Sequence, residues 1–194
     1  FNIPSGSMIP TLKVGDYLFV SKFSYGYSRY SLPLGLVPFE GRILGDEPER
    51  GDVVVFRQPK NESVAFIKRL VVLPGDEIAV RSGILHINDK PVLRRHADIG
   101  TATDGVRVMK YDDYVETLPE GSMHNIREMT DGGMLDNTRT FVVPEGHFFM
   151  MGDNRDRSND SRTTSVGMVP FENLIGKAQF LFFSHNGTSR WWQV

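Results

Sequence analysis

Cysteine is absent from the 194 residues of this chain. Its absence excludes disulfide bonds, thiolate catalysis and cysteine-bound zinc. The histidines are dispersed and form no His-x-x-x-His pair, so the sequence predicts neither a metal site nor a cofactor. No apolar run approaches the roughly 18–20 residues that a membrane-spanning helix requires.

The chain also lacks an excess of charge of either sign. It has 22 Lys and Arg against 24 Asp and Glu, which gives a formal net charge of -2. The basic residues are scattered, so no nucleic-acid partner is predicted. With 40% hydrophobic and 24% charged residues, the composition is that of a folded protein with one core, or with a core and a smaller lobe.

Helical periodicity is weak, whereas short β-branched and aromatic runs are frequent. A Gly-Asp pair precedes an apolar run at residues 15–16, 51–52 and 75–76, where glycine permits a turn and aspartate closes it. This pattern predicts a mostly β protein with a coiled, antiparallel, barrel-like sheet. The predicted strands are 17–20, 52–56, 64–72, 77–80, 84–88, 140–143, 147–151 and 175–183.

The distribution of these strands predicts a discontinuous core of residues 1–80 and 141–194. Residues 81–140 are more polar, contain few strong strand runs and include Gly132-Gly133, so they are predicted to form an irregular, β-rich insertion lobe. Residues 24–49 are rich in Gly, Pro and aromatic side chains without a regular period. A loop of this length is either functional or packed on the core.

Ser7 is a candidate nucleophile in the segment Pro4-Ser5-Gly6-Ser7-Met8. Proline restricts the backbone and glycine frees it just before the serine, which suits a turn that presents a hydroxyl. Backbone N–H groups left free in such a turn can stabilise an oxyanion. An ordinary Pro-Ser-Gly turn is the alternative, and a serine nucleophile also needs a base.

Lys68 is the candidate base, because it lies in an otherwise apolar stretch, residues 66–72. In a strand it shares a face with Phe66, Leu70 and Val72. Its amine then either reaches water along the sheet surface or is buried. Burial would lower its pKa from about 10.4 by up to 3–5 units and make a neutral amine available.

The segment 152–162 alternates oxygen-bearing side chains at Asp156, Ser158 and Asp160, as calcium loops do. A calcium loop of this kind needs glycine at its sixth position and glutamate at its twelfth, where this chain has Ser161 and Gly167. The arginines interspersed among the acids favour internal ion pairs instead.

Four segments in this order resemble the boxes of the type I signal peptidase (leader peptidase) family. The match covers most of the chain outside the insertion. The four segments are Ile3–Leu12, Arg50–Phe56, Ile67–Arg69 with Leu73–Asp76, and Met151–Arg162.

The resemblance implies a serine–lysine endopeptidase in which Ser7 is the nucleophile and Lys68 the general base. Ser5 would donate its hydroxyl to the oxyanion beside the Ser7 backbone N–H. Ser158 would orient the lysine amine, and Gly152 would allow close packing against it.

Two supporting ion pairs are also implied, between Asp160 and Arg162 and between Arg69 and Asp153. For the first pair a purely structural role is the stronger reading. Such outer groups fix the rotamers of catalytic side chains.

The resemblance implies that the substrates are secretory signal sequences. These carry small residues in an Ala-x-Ala pattern before the cleavage site. The bound signal peptide would add a strand along residues 1–5 or along the Lys68 strand. The implied apolar pocket consists of Phe1, Ile3, Met8, Leu12, Val55, Phe66 and Ile67.

The family works at the outer, periplasmic face of the bacterial cytoplasmic membrane, so a membrane lipid surface is an expected partner. The chain begins at Phe1 without methionine, close to Ser7, and we expect an anchoring segment to precede it. The insertion carries no cysteine pair, and Arg157 stands where the family often has asparagine.

Two other functions remain open on sequence grounds. Repressor-type autoproteases use the same serine–lysine chemistry on this fold, but no helix-turn-helix pattern is visible here. A catalytically silent binding module of the same fold would keep its function after Ser7→Ala. Acyl-serine enzymes of the Ser-x-x-Lys type are not supported, because no lysine lies three residues after Ser7.

Overall fold

The computed structural model describes residues 1–26, 46–103 and 108–183, so most of the predicted 24–49 loop lies outside the described residues. The predicted mostly β fold is confirmed. Within the described residues, no helix is long and apolar enough to cross a bilayer. The thirteen strands described are β1 (Tyr17–Ser21), β2 (Val53–Gln58), β3 (Asn61–Val72), β4 (Glu77–Arg81), β5 (Ile84–Ile87), β6 (Lys90–Pro91), β7 (Leu93–Thr103), β8 (Val108–Thr117), β9 (Met123–Glu128), β10 (Phe141–Val142), β11 (His147–Met151), β12 (Val169–Pro170) and β13 (Leu174–Phe183).

Short 3₁₀ turns provide the helical structure in this part of the chain. None is longer than three residues, which agrees with the weak helical periodicity of the sequence. They are Gly6–Met8, Pro119–Gly121, Arg155–Arg157 and Phe171–Asn173.

The largest sheet has six strands in the order β1-β13-β2-β3-β11-β12. The paired strands are antiparallel, and over the described residues the sheet stays open, with β1 and β12 at its edges. Strand β3 is internal where it carries Lys68, which pairs with Val54 of β2, and the next residue, Arg69, pairs with Met151 of β11. This register brings the Lys68 strand beside the start of the 152–162 segment.

A four-stranded sheet, β10-β4-β5-β6, packs beside the first. Its β4–β5 hairpin turns at Ser82 and Gly83, which both have positive φ, as the mirror-image two-residue turn of a tight hairpin requires. Residues from both sides of the predicted domain boundaries therefore pair in one sheet. The division into residues 1–80 with 141–194 and residues 81–140 stays a prediction.

The insertion is β-rich as predicted, but it is regular where an irregular lobe was expected. Strands β7, β8 and β9 form a long antiparallel sheet, hereafter the insertion sheet. Its side chains are mostly exposed or half-buried, so no apolar run marks the strands in the sequence. Cross-strand pairs hold it instead, such as Arg127 with Asp113 at 2.7 Å and Arg94 over the Tyr114 ring at 4.5 Å.

Three apolar clusters fill the interior, and β3 contributes to all of them. Val71 and Val72 join the cluster beneath the β4–β5 hairpin, Leu70 joins one with Val54 and Phe56, and Ile67 joins one around the chain start. Because both faces of β3 are covered, every residue from position 67 to 72 is buried. A lysine at position 68 therefore has no direct route to bulk water.

Candidate active site

Ser7 lies in the 3₁₀ turn Gly6–Met8 and is 7% exposed. Asn154 holds this turn from the other end of the chain. Its backbone N–H donates to the Ser7 carbonyl at 3.0 Å, and its side-chain Nδ2 donates to the Gly6 carbonyl at 3.0 Å. Both carbonyls are thereby directed towards Asn154, and this fixes the two peptide planes on either side of the Ser7 Cα.

The Lys68 amine lies next to the Ser7 hydroxyl. Nζ is 2.7 Å from Ser7 Oγ and donates to the Ile67 carbonyl at 2.9 Å. The residue is only 4% exposed, so its amine does not reach water along the sheet surface. The Phe66 ring lies 5.3 Å from Nζ, measured to the ring centroid, and covers one side of the amine.

Burial changes the protonation of this amine. Desolvation lowers the pKa of Lys68 from its ordinary value of 10.5 to about 8, against the opposing attraction of the Asp160 and Asp153 carboxylates. A substantial neutral fraction is then present at mildly alkaline pH. The site can therefore pair a hydroxyl with a neutral amine at hydrogen-bonding distance, as proton abstraction requires.

Ser5 is on the same turn as Ser7, and their Oγ atoms are 3.3 Å apart. Ser5 directly precedes the 3₁₀ turn and has an extended backbone, and its hydroxyl lies beside the hydroxyl of Ser7. A donor at this point is close to any group bonded to Ser7 Oγ.

Gly152 is in contact with Ser7 and Ser158, where packing against the lysine was expected. A Cβ at position 152 would lie 2.2 Å from Ser158 Oγ and 2.5 Å from the Ser7 carbonyl oxygen. Only glycine fits such a gap, since ordinary contacts of a Cβ begin well beyond 3 Å. The space spared by Gly152 lets the 152–162 segment approach the Ser7 turn.

Ser158 is buried, but the expected hydrogen bond to the Lys68 amine is absent. Its Oγ makes no hydrogen bond of ordinary geometry to any described residue. The Lys68 amine instead donates to the Ile67 carbonyl and contacts Ser7. The hydroxyl of Ser158 is directed at Asp160 instead: burial alone would raise the pKa of the Asp160 carboxyl, but Arg162, the Gly152 N–H and the Ser158 hydroxyl lower it.

Two buried ion pairs flank the site. Arg69 Nε and an Arg69 terminal nitrogen bind the two Asp153 oxygens at 2.8 and 2.7 Å. Arg162 binds both oxygens of Asp160 at 2.9 Å, and Asp160 also accepts the Gly152 N–H at 3.0 Å. Both pairs are bidentate or nearly so, which fixes their geometry.

The predicted apolar positions do not all come together. Ile3, Met8, Leu12, Val55 and Ile67 are buried in one cluster with Leu18 and Ile175. Phe66 is half-buried and packs against a different cluster. Phe1 is 48% exposed, while its backbone amine donates to the Leu18 carbonyl at 3.1 Å.

Sequence reasoning missed two residues that contact the site. Asn154 acts through backbone carbonyls, which leave no trace in the sequence. Thr11 donates from Oγ1 to Asp153 Oδ2 at 2.5 Å and so joins the Ser7 segment to the Arg69–Asp153 pair. Its position inside the first matched segment was the available signal.

The described part of the chain contains no group of three or more His, Asp or Glu residues placed to hold a metal ion. The Ser7 hydroxyl has the Lys68 amine as its basic neighbour in this site.

Several known proteins are similar to this chain. The family model described as "Signal peptidase, peptidase S26" matches residues 1–183. Signal peptidase I of Rickettsia typhi is 47% identical over 99% of this chain and 74% of its own length. Signal peptidase I of Rickettsia prowazekii is 46% identical over 99% of this chain and 74% of its own length.

Among solved structures, a signal peptidase I from Enterococcus faecalis is 26% identical, with a TM-score of 0.41. That match covers 69% of this chain and 98% of the Enterococcus chain. The family model spans all four sequence segments and nearly the whole chain. The chain therefore belongs to the signal peptidase family, peptidase S26.

Proposed function

We propose that this protein is a serine endopeptidase that removes signal peptides from exported preproteins, with Ser7 as nucleophile and Lys68 as general base. The observation that carries the proposal is the 2.7 Å separation of Ser7 Oγ and Lys68 Nζ in a buried site. The pKa of about 8 supports it, because a base must be partly neutral at its working pH.

The proposed reaction begins when neutral Lys68 takes the Ser7 proton as Oγ bonds to the scissile carbonyl carbon. The tetrahedral intermediate collapses, the C–N bond breaks, and the Lys68 ammonium returns a proton to the departing amine. Neutral Lys68 then takes a proton from water as the water oxygen attacks the acyl-enzyme ester. In the second intermediate the bond between the acyl carbon and Ser7 Oγ breaks, the Lys68 ammonium returns its proton to Oγ, and the signal peptide leaves with a new carboxyl group.

The oxyanion in both intermediates would be held by the Ser5 hydroxyl and the Ser7 backbone N–H. The 3.3 Å separation of the two serine oxygens places one donor beside the attacking atom. Asn154 holds the carbonyl of Gly6, so the Ser7 N–H in the same peptide unit has a fixed direction. Donors that are fixed before the reaction stabilise developing charge most effectively.

A signal peptide would bind as an added strand between residues 1–5 and the open edge of β3. Strand β11 pairs with β3 only from Arg69 to Val72, so in the described structure the earlier part of that edge has no strand beside it. The cluster containing Ile3, Met8 and Ile67 lies beneath this edge. Small side chains of an Ala-x-Ala site would fit a shallow apolar surface that excludes larger ones.

A membrane lipid surface is the second proposed partner, at the outer face of the bacterial cytoplasmic membrane. Four aromatic side chains in and around β1 are about half exposed: Phe1 48%, Tyr17 45%, Phe19 57% and Phe23 56%. Aromatic rings of this kind partition to the interface between lipid and water. They lie in the chain segments on either side of Ser7, so lipid contact there would bring the site close to membrane-bound substrate.

The test is cleavage of a signal-bearing preprotein in detergent by the parent protein and by Ser7→Ala and Lys68→Ala. Ser165→Ala and Lys60→Ala are matched controls, because both residues are exposed and outside the proposed binding edge of β3. We expect cleavage after the Ala-x-Ala site by the parent and the controls only. Activity in Lys68→Ala would remove lysine as the base, and signal-peptide binding without cleavage by the folded parent would indicate a silent binding module.

A further inference from the structure

Arg155 is an arginine buried at the edge of the site, with 2% of its surface exposed. It opens the 3₁₀ turn Arg155–Arg157 and directly follows Asn154. Arg155 is therefore covalently joined to Asn154, the residue that binds the carbonyls of Gly6 and Ser7. Whatever fixes Arg155 also restricts Asn154.

The partner of Arg155 comes from the insertion sheet. Glu116, near the end of β8, is 1% exposed and accepts from both terminal nitrogens of Arg155, one of them at 3.0 Å. His124 of β9 lies against the same carboxylate, with Nε2 3.2 Å from a Glu116 oxygen. Burial alone would raise the pKa of Glu116, but Arg155 and His124 outweigh it and lower this pKa to about 2.

The backbone around Arg155 is fixed from both sides. Its carbonyl accepts from Arg162 at 2.6 Å, on the side of the Asp160–Arg162 pair. On the insertion side, the Arg127 N–H donates to the Asp153 carbonyl at 2.8 Å, and Arg127 forms a parallel bridge with Asn154. The segment 153–155 is thus held between the core and the insertion sheet.

A buried ion pair is a weak source of stability, since desolvation offsets most of the attraction. Such a pair does restrict geometry, because two parallel hydrogen bonds between a guanidinium and a carboxylate hold the two side chains in one relative position. The Glu116–Arg155 pair therefore restricts the position of residue 155 more than it stabilises the fold. Restricting residue 155 restricts the adjacent Asn154, and through it the Ser7 turn.

We infer that Glu116 is a positioning residue for peptide cleavage: through Arg155 and Asn154 it sets the direction of the Ser7 hydroxyl and N–H. The insertion sheet is then part of the catalytic apparatus, although none of its residues reaches the reacting atoms. This inference rests on the proposed function, in which Ser7 is the nucleophile.

The test compares Glu116→Gln with Asp112→Asn in steady-state cleavage of the preprotein. Asp112 is the control because it is also a carboxylate on β8 with a basic partner, His96 Nε2 at 3.0 Å, and its side chain binds neither Arg155 nor Arg127. We expect Glu116→Gln to lower kcat about tenfold or more and to change KM less than about twofold, because misdirected reacting groups affect the chemical step. Asp112→Asn should keep the parent kcat.

Glu116→Asp and the double variant Glu116→Gln/Asn154→Ala keep the test decisive if Glu116→Gln folds poorly. Glu116→Asp retains the charge but withdraws the carboxylate, and we expect a loss of kcat smaller than that of Glu116→Gln, measured at a temperature below the Tm of both variants. If Glu116 acts through Asn154, the double variant should be no slower than the slower single variant. Parent-like kcat in both Glu116 variants, or additive losses in the double variant, would overturn the inference.

A readout that does not depend on activity separates this inference from the proposed function. The side-chain amide of Asn154 gives its own NMR signals, which should shift in Glu116→Gln and stay in place in Asp112→Asn. If the parent cleaves no preprotein, the proposed function fails, yet the Asn154 shift would still support the positioning link. Unchanged Asn154 signals in Glu116→Gln would overturn the link even in an active enzyme.

Discussion

Replacing Lys68 by methionine should change how stability depends on pH, because the buried amine carries a desolvation penalty. The pKa of Lys68 falls from 10.5 to about 8 in the folded protein. Since each pKa unit corresponds to about 1.4 kcal/mol, this lowering is worth about 3 kcal/mol. Methionine has a similar length and carries no charge, so Lys68→Met removes the penalty.

The sign follows from proton binding. Between about pH 8 and 10.5 the unfolded chain keeps the lysine proton that the folded protein has lost, so the free energy of unfolding of the parent rises with pH in this window. Below about pH 8 the full penalty is present, and above about 10.5 it has gone. The parent should therefore gain about 3 kcal/mol relative to Lys68→Met between pH 7 and pH 10.5.

Urea unfolding of both proteins at several pH values measures this difference. All groups other than Lys68 are common to the two proteins, so their titration cancels. Lys60→Met is the control, because it makes the same change at an exposed lysine. A difference between parent and Lys68→Met that stays constant from pH 7 to pH 10.5 would refute the burial argument.

Three further substitutions probe the contacts around the site. Gly152→Ala should lower kcat about 10²-fold or more, because the new Cβ would lie 2.5 Å from the Ser7 carbonyl oxygen. Steady-state cleavage measures kcat, and a parent-like value would contradict this prediction. Arg69→Lys should reduce the free energy of unfolding by about 1–3 kcal/mol in urea titrations, since lysine cannot bind both Asp153 oxygens. An unchanged urea midpoint would show that the Arg69–Asp153 pair does not stabilise the fold. Thr11→Val should cost about 1 kcal/mol by removing the bond to Asp153, whereas Thr11→Ser, which keeps the hydroxyl, should cost less.

Strands that bury an apolar run could be predicted from the sequence, and the others could not. The runs at 64–72 and 147–151 lie in β3 and β11, where residues 67–72 and 148–151 are buried. Strands β7 and β8 are long and antiparallel, yet their side chains are mostly exposed or half-buried, so polar residues occupy both faces. Their stability comes from cross-strand pairing, which a local pattern does not reveal.

The site was predictable to the extent that it depends on side chains within the matched segments. Ser7 and Lys68 lie in such segments. The alternation of side chains along a strand, however, allowed Lys68 to be either exposed or buried. Its burial depends on apolar clusters covering both faces of β3. Asn154 and Glu116 were missed because one binds backbone carbonyls and the other lies about 40 residues away from its partner Arg155, a separation that only the fold closes.

The pH dependence of kcat/KM for preprotein cleavage tests the Ser7–Lys68 assignment most directly. If the neutral amine of Lys68 is the base, kcat/KM should rise about tenfold per pH unit below pH 8 and level off above it. The inflection should coincide with the pKa of Lys68 measured by NMR on the free protein. A rate that stays flat from pH 9 down to pH 5 would contradict the assignment of Lys68 as the base.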